Sequence, residues 1–230
     1  KNIAKPIFIC NKKHGFLVKK SLEKYNLKAH IFLEPEGKNT CAAMYLAAKY
    51  CSREDNLLIM PSDHLISNTQ KFLEDIADIE KSLISNSWVT LGIKPTKPSE
   101  AYGYIKVSNH NKKSLLEVTN FIEKPSKKIA AKLICDNTYF WNAGIFIANA
   151  LTILNSIKKH APAIAKHCDN AFDKIEINNK TNEFNFSKNL FSKIPSQSID
   201  YAVMENEKNI YLYPFNSQWS DVGSWDSVAE

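Results

Sequence analysis

The sequence predicts an α/β fold in which a mainly parallel sheet is flanked by helices. Short apolar runs alternate with amphipathic segments of helical length through the first 95 residues, a spacing typical of parallel βαβ units. The 230 residues are 44% hydrophobic and 23% charged, which suits a globular domain with a sizeable core. No linker-like stretch interrupts the chain, so we expect one domain over residues 1–230.

The first 95 residues contain four predicted strands and three predicted helices. The strands are the apolar runs at 6–10, 31–33, 57–60 and 88–93. The helices are the segments at 16–25, 40–51 and 72–84, in which apolar residues recur at helical spacing. Thr40 is expected to cap the second helix, because threonine is a favoured residue at the start of a helix.

The pattern changes after residue 95. Apolar runs at 104–107 and 115–122 follow each other without a helix, which indicates an antiparallel pair. The remaining predicted elements are a helix at 126–135, strands at 144–147 and 210–213, and mostly helical structure over 149–195. The polar tract 178–189 is expected to be a surface loop or a short helix, and another helix is expected from Gly223 onward.

Charge and cysteine content argue against several classes of protein. The net charge is +6, but the lysines are spread among acidic residues, so we expect no nucleic-acid partner. No apolar run approaches the length of a membrane span, and no secretory signal opens the sequence, so we expect no membrane association. The five cysteines are odd in number and lack zinc or redox spacing, so we expect buried thiols and a cytoplasmic location.

Two aspartates are candidate ligands of a hard cation. Asp63 follows a predicted strand within Pro61-Ser62-Asp63-His64, and Asp221 precedes a predicted helix. Two carboxylates on Mg²⁺, with a lysine near the phosphates, are typical of nucleotidyl transfer. The alternative for Asp63 alone is a helix cap, and His64 is expected to orient or pack rather than to bind metal.

Polar residues and glycines near strand ends are candidates for ligand contacts. Glu123 and Lys124 are neighbours that can face one ligand only if the strand ends there, which Pro125 favours; the alternative is a surface pair. Glycines in turns permit close approach of a ligand to the backbone, although each could be merely a tight turn. These glycines are Gly37, Gly103, Gly144 and Gly223. Trp141 precedes Asn142 and either stacks on a sugar or belongs to the core.

Seven motifs occur in the order found in bacterial mannose-1-phosphate guanylyltransferases, and the chain resembles that family over essentially its whole length. The motifs are E-P-E-G-K-N-T at 34–40, P-S-D-H at 61–64, Y-G-Y-I at 102–105, F-I-E-K-P at 121–125, W-N-A-G at 141–144, S-I-D-Y-A-V-M-E at 198–205 and W-S-D-V-G-S-W at 219–225. Any one of them alone would be a weak signal.

The resemblance implies a Rossmann-like nucleotide-diphospho-sugar transferase fold with a small antiparallel sugar-binding portion. It implies transfer of GMP from GTP to mannose 1-phosphate, with Mg²⁺ bound by Asp63 and Asp221 and with Lys124 as the third catalytic residue. It also implies a nucleotide side over 1–95 and a sugar side over 96–230. The implied nucleotide-binding residues are Glu34, Gly37, Lys38, Asn39, Thr40 and Ser62. The implied sugar-binding residues are Gly103, Glu123, Lys124, Asn142 and Gly144.

The chain departs from the family pattern in three places. Lys38 stands where arginine is usual, so a bidentate contact is lost there, and Ala143 stands where serine is usual. The family's G-G-x-G-T-R-L-x-P loop and its strand do not occur in the sequence. We therefore expect an N-terminally incomplete domain with an exposed sheet edge, inactive alone, that forms a homo-oligomer or takes a strand from a partner. The alternatives are another sugar-1-phosphate nucleotidyltransferase or a non-catalytic nucleotide-sugar-binding module.

Overall fold

The computed structural model describes residues 3–108 and 114–222, and the chain divides into two compact units. The first unit contains residues 1–51 and 153–203, and the second contains 52–152 and 204–230. These units are defined by residue contacts. The division into a nucleotide side over 1–95 and a sugar side over 96–230 therefore stays a prediction. In the described part of the chain, no helix is long and apolar enough to cross a membrane.

Twelve strands and seven α-helices lie in the described residues. The strands are β1 (Ile7–Asn11), β2 (His30–Glu34), β3 (Asn56–Ile59), β4 (Leu65–Ile66), β5 (Trp88–Ile93), β6 (Tyr104–Val107), β7 (Leu116–Ile122), β8 (Tyr139–Asn149), β9 (Glu176–Asn178), β10 (Glu183–Asn185), β11 (Ile210–Pro214) and β12 (Trp219–Ser220). The helices are α1 (Gly15–Lys24), α2 (Asn39–Tyr50), α3 (Thr69–Ser82), α4 (Lys127–Leu133), α5 (Ala150–His160), α6 (Pro162–Phe172) and α7 (Lys188–Phe191). A π-helical turn spans Asp200–Met204.

The first unit is built on a four-stranded sheet with the order β1-β2-β10-β9. The pairs β1–β2 and β2–β10 are parallel, and β9–β10 is antiparallel. Leu22 of α1 packs with Ile31 and Leu33 of β2, so the helix between β1 and β2 covers the sheet. Phe32 contacts Phe184 with ring centroids 4.7 Å apart, which adds an aromatic cluster to this unit.

The second unit is built on a six-stranded sheet with the order β3-β8-β5-β11-β7-β6. Only the pair β5–β11 is parallel; the other neighbours are antiparallel, and the first residues of β8 also pair with β6. Val89 and Leu91 pack with Ile145 of β8, and Phe72 and Ile79 of α3 join this core. The helix thereby covers the central strands.

The predicted α/β class is confirmed, and most predicted strands and helices occur near their expected positions. The balance of strand directions differs from the expectation, because antiparallel pairs outnumber parallel ones in the described sheets. The antiparallel joining of β6 and β7 is as predicted. The expected helix from Gly223 onward lies outside the described residues.

Two local predictions were wrong. The tract 178–189 contains β10 of an antiparallel hairpin, because Phe184 is buried against Phe32 and tertiary pairing outweighs the local polarity. Thr40 does not cap α2: the helix begins at Asn39, and the Thr40 hydroxyl oxygen instead accepts a hydrogen bond from the Ile199 N–H at 2.9 Å.

Candidate active site

Two short strands bring the segments that carry Asp63 and Asp221 together. In the antiparallel pair β4–β12, Leu65 lies opposite Ser220 and Ile66 opposite Trp219. Asp63 lies two residues before Leu65, and Asp221 directly follows Ser220. Because the strands run in opposite directions, both carboxylates lie at the same end of this ladder. Ser62 and Asp63 are exposed, and Asp221 is half-buried.

His64 contacts the opposite strand of the same ladder. The Trp219 indole N–H donates to His64 Nδ1 at 3.3 Å, and the two rings meet edge-on with centroids 5.3 Å apart. Burial lowers the pKa of His64, while the charges of Asp63 and Asp221 act in the opposite direction. The imidazole is therefore neutral at pH 7, with its proton on Nε2, and its Nδ1 is used as an acceptor.

Tyr102 fixes the orientation of the Asp221 carboxylate. Its hydroxyl donates to Asp221 Oδ1 at 3.0 Å. Its ring contacts Trp219 and Trp141 at centroid distances of 5.5 and 5.0 Å. Trp141 itself is buried with Tyr104 and other side chains, which agrees with the core alternative rather than with an exposed stacking platform.

A second group of candidate residues lies where β6, β7 and β8 meet. The Asn142 N–H donates to the Gly103 carbonyl at 2.8 Å. Glu123 Oε2 lies 2.5 Å from the place that a Cβ atom on Gly103 would occupy. The absence of a side chain at position 103 therefore lets the Glu123 carboxylate lie against the backbone.

The Asn142 side chain is held on its carbonyl side. Its Oδ1 accepts from the Thr90 hydroxyl at 3.0 Å and from the Gly144 N–H at 3.1 Å. Gly144 lies within β8, rather than in a turn, and has a φ of 67°, a left-handed conformation that glycine adopts without strain. Because the amide oxygen accepts both bonds, the Asn142 nitrogen is the donor end of this amide.

Lys124 leaves the strand in a left-handed conformation. β7 ends at Ile122, and Lys124 has a φ of 45°, so the alternation of side chains is broken after Glu123. The Glu123 side chain is 9% exposed and that of Lys124 is 58% exposed. The Lys124 Nζ is still 3.8 Å from Glu123 Oε1, so both charged groups are adjacent, as one shared ligand would require.

In the first unit, Glu34 ends β2 as a buried carboxyl group. It is 8% exposed, and its Oε1 has no hydrogen-bond partner among residues 3–108 and 114–222. Burial raises the pKa of Glu34 from 4.5 to about 7. The thiol of Cys41, near the same turn, is fully buried, and burial raises its pKa to about 12, so it stays a thiol at neutral pH.

The other residues of this turn differ in how they are held. The Lys38 ammonium donates to the Ser192 carbonyl at 2.9 Å and pairs with Glu36 at 2.8 Å, so its charge already has protein partners. Asn39 has a φ of 66°, and its Oδ1 accepts from the Thr40 N–H at 2.9 Å. A Cβ atom on Gly37 would meet nothing within 4 Å, which leaves the backbone there open to a ligand.

The structure groups the candidates into three sets. Asp63 and Asp221 lie at one end of the β4–β12 ladder, and Gly103, Glu123 and Asn142 lie where β6–β8 meet. The turn from Glu34 to Thr40 belongs to the first unit, and its grouping with the other sets stays a prediction. In the described part of the chain, no three or more His, Cys, Asp or Glu side chains form a metal-binding cluster. The site roles of Tyr102, Trp219 and Thr90 were missed, because only the fold brings them to Asp221, His64 and Asn142.

Comparison with known proteins assigns the chain to a family. The family profile described as Nucleotidyl transferase matches residues 1–230. The chain is 37% identical to a mannose-1-phosphate guanylyltransferase of Salmonella muenchen over 97% of its length, and 36% identical to a putative mannose-1-phosphate guanylyltransferase of Vibrio cholerae over 99%. It covers 48% and 49% of those proteins, so it spans about half the length of the curated relatives it matches.

A solved structure extends the comparison to the fold. A Helicobacter pylori structure described as mannose-6-phosphate isomerase is 32% identical, with a TM-score of 0.88 over 95% of this chain and 85% of that one. The sequence match over the full length and this structural match agree with each other. The chain therefore belongs to the nucleotidyl transferase family.

Proposed function

We propose that the chain carries the metal- and sugar-binding residues of a mannose-1-phosphate guanylyltransferase, which transfers GMP from GTP to mannose 1-phosphate. A phosphate oxygen of mannose 1-phosphate attacks the α-phosphorus of GTP, the bond to the β-phosphate oxygen breaks, and GDP-mannose and pyrophosphate form. Nothing in this chemistry requires a covalent protein nucleophile, so the protein acts by positioning and by charge stabilisation.

The observation that carries the proposal is the ladder β4–β12, which brings the segments of Asp63 and Asp221 to one end. Members of the family generally use a divalent metal ion, and two carboxylates are hard oxygen ligands that suit Mg²⁺. The ion would supply charge neutralisation on the phosphates. Asp63 and Asp221 would hold it, and Tyr102 orients the second of them.

The residues around Gly103 fit a sugar phosphate. The carboxylate of Glu123 accepts hydrogen bonds from hydroxyl groups, and the Asn142 amide nitrogen donates to them. The exposed ammonium of Lys124, next to Glu123, is placed to pair with the phosphate. Mannose 1-phosphate carries hydroxyl groups and a phosphate, and an acceptor, a donor and a cation side by side suit such a ligand.

The unpartnered oxygen of Glu34 supports guanine as the base. A buried carboxylate gains most from a ligand that offers N–H donors, and guanine offers two adjacent ones, N1–H and the N2 amino group. Adenine presents an acceptor at the corresponding ring position, so a carboxylate would face a lone pair there. This turn would therefore bind GTP, with the open backbone at Gly37 and the residues Asn39 and Thr40 beside it.

Open strand edges support an oligomer or a strand partner. In the described residues, β1 and β3 each pair with a single neighbour, at the ends of their respective sheets. An unpaired edge offers backbone donors and acceptors to another strand. A second copy of the chain, or a polypeptide that carries the family's N-terminal strand, could satisfy them.

The test is an assay of the chain with a family-type strand and G-G-x-G-T-R-L-x-P loop placed before residue 1. GDP-mannose should form from GTP and mannose 1-phosphate only with a divalent metal ion, and Asp221→Asn should remove most of the turnover. Other nucleoside triphosphates, other sugar 1-phosphates and the isomerisation of mannose 6-phosphate are assayed in parallel. Preference for another pair would identify a different nucleotidyltransferase, and binding without turnover would identify a binding module.

A further inference from the structure

We propose that Tyr102, Trp219 and His64 form an aromatic clamp that sets the affinity of the Asp63–Asp221 pair for a divalent cation. The inference rests on the metal site proposed above. Tyr102 and His64 act as positioning residues for the two aspartates. Trp219 links them, since its indole ring contacts the rings of both.

The ladder alone holds the two aspartate segments weakly. β4 and β12 contain two residues each, and beyond their two paired positions the Ser67 N–H donates to the Gln218 carbonyl at 3.3 Å. So short a ribbon is only marginally stable without side-chain packing. The separation of Asp63 and Asp221 must therefore depend on contacts beyond the backbone pairs.

Side chains supply these contacts. The bond from the Trp219 indole to His64 Nδ1 joins the segment next to Asp221 to the segment next to Asp63. A Cβ atom on Gly144 would lie 3.7 Å from His64 Cε1 and 3.8 Å from Pro61 Cγ, so the backbone of β8 passes close to both residues. The Pro61–His64 segment is thus bonded to β12 and lies near β8.

Tyr102 adds the orientation of the second aspartate. One oxygen of Asp221 accepts a hydrogen bond from the Tyr102 hydroxyl at 3.0 Å, and the phenol ring contacts both Trp141 and Trp219. A ligand carboxylate held in one rotamer loses less entropy when it binds metal. Partners of this kind commonly change metal affinity by about 10- to 100-fold when they are removed.

The experiment is a titration of the 230-residue chain with Mn²⁺, with the free ion measured by electron paramagnetic resonance. Tyr102→Phe removes only the hydroxyl and should weaken Mn²⁺ binding about tenfold or more. The matched control is Tyr213→Phe, which removes a similar bond, from the Tyr213 hydroxyl to Asp75 Oδ1 at 2.9 Å. It should leave Mn²⁺ binding unchanged.

A pair of substitutions at His64 tests the other half of the clamp. His64→Asn keeps an acceptor near the position of Nδ1 and should retain most of the Mn²⁺ affinity, whereas His64→Leu should lose it to about the extent of Tyr102→Phe. Equal binding by wild type, Tyr102→Phe and His64→Leu, with binding lost only in Asp221→Asn, would overturn the clamp and leave the metal site standing. Equal binding by wild type and Asp221→Asn would overturn the metal site and the clamp with it.

Discussion

The Glu123 carboxylate lies against the backbone of Gly103, and its Oε2 is 2.5 Å from where a Cβ atom would stand. The two residues lie 20 positions apart in the sequence, and the β6–β7 pairing brings their motifs together. Any side chain at position 103 would therefore displace the carboxylate that is proposed to accept the sugar hydroxyls.

Gly103→Ala should weaken sugar binding at little cost in stability. The added methyl group displaces only the end of the flexible Glu123 side chain, so the free energy of unfolding should change by about 1 kcal/mol or less. The displaced carboxylate should weaken mannose 1-phosphate binding by about 10- to 100-fold, because hydrogen bonds to a charged group are lost. Urea unfolding and calorimetric titration measure the two effects.

The double substitution Gly103→Ala, Glu123→Ala serves as the control for that experiment. Once the carboxylate is removed, the methyl group displaces nothing that binds the sugar, so the double variant should bind mannose 1-phosphate as weakly as Glu123→Ala alone. If the binding losses of the two single variants simply add, displacement of the Glu123 carboxylate is not the cause.

Lys124 should respond differently in stability and in binding. Its φ of 45° disfavours a residue with a Cβ atom by about 1–2 kcal/mol, so Lys124→Gly should be at least as stable as the wild type. The same variant lacks the ammonium and should bind mannose 1-phosphate about 10- to 100-fold more weakly, because a charge-assisted hydrogen bond is lost. Lys124→Arg keeps the charge and should bind better than Lys124→Gly; equal binding by both would show that the phosphate lies elsewhere.

Glu34 should make stability depend on pH between about 4.5 and 7. Because burial raises its pKa to about 7, the folded state holds the proton in this range more tightly than the unfolded state does. Its contribution is fully present below pH 4.5 and is lost as the pH rises through 7, with a difference of about 3 kcal/mol. Glu34→Gln should remove this loss. Urea unfolding of the wild type and of Glu34→Gln at pH 5 and pH 8 measures this difference. Identical pH dependence in the two proteins would show that ionisation of Glu34 does not destabilise the folded state.

Thr40 should stabilise the first unit through a distant backbone group. Its hydroxyl oxygen accepts from the N–H of the buried Ile199, 159 positions along the chain. Thr40→Ala leaves that donor without its acceptor and should lower the free energy of unfolding by about 1–3 kcal/mol, whereas Thr40→Ser should keep most of it. Thermal unfolding of the three proteins measures the loss. Amide exchange at Ile199 separates this role from helix capping, since loss of a cap alone would leave that exchange unchanged.

The sequence predicted elements whose signals are local and missed those that depend on distant contacts. The strands at 88–93 and 104–107 have apolar patterns that needed no further information. β10 is polar, and only its pairing with β2 and the burial of Phe184 make it a strand. In the site, Asp221 was recognisable by its motif, but its bond to Tyr102 joins residues 119 positions apart and follows from the fold alone.

The 230 residues alone should associate in solution and turn over GTP poorly. β1 pairs only with β2 among the described strands, and the bond from the His30 N–H to the Pro6 carbonyl fixes which groups of β1 face that neighbour. In a parallel pair such groups alternate along the strand, so Ile7 and Ile9 present their N–H and C=O groups to the open edge, where another strand can bind.

The sequence contains no G-G-x-G-T-R-L-x-P loop to hold a triphosphate, and the charge that develops on the phosphates would lack the donors of such a loop. Light scattering after size-exclusion chromatography should therefore show oligomers, and pyrophosphate release should be close to background until a strand and loop of that kind are supplied. Ile9→Lys places a charge on the edge and should shift the chain toward monomers without restoring turnover. A well-behaved monomer with robust turnover would contradict both parts of this prediction, and it would mean that other residues of the chain hold the triphosphate.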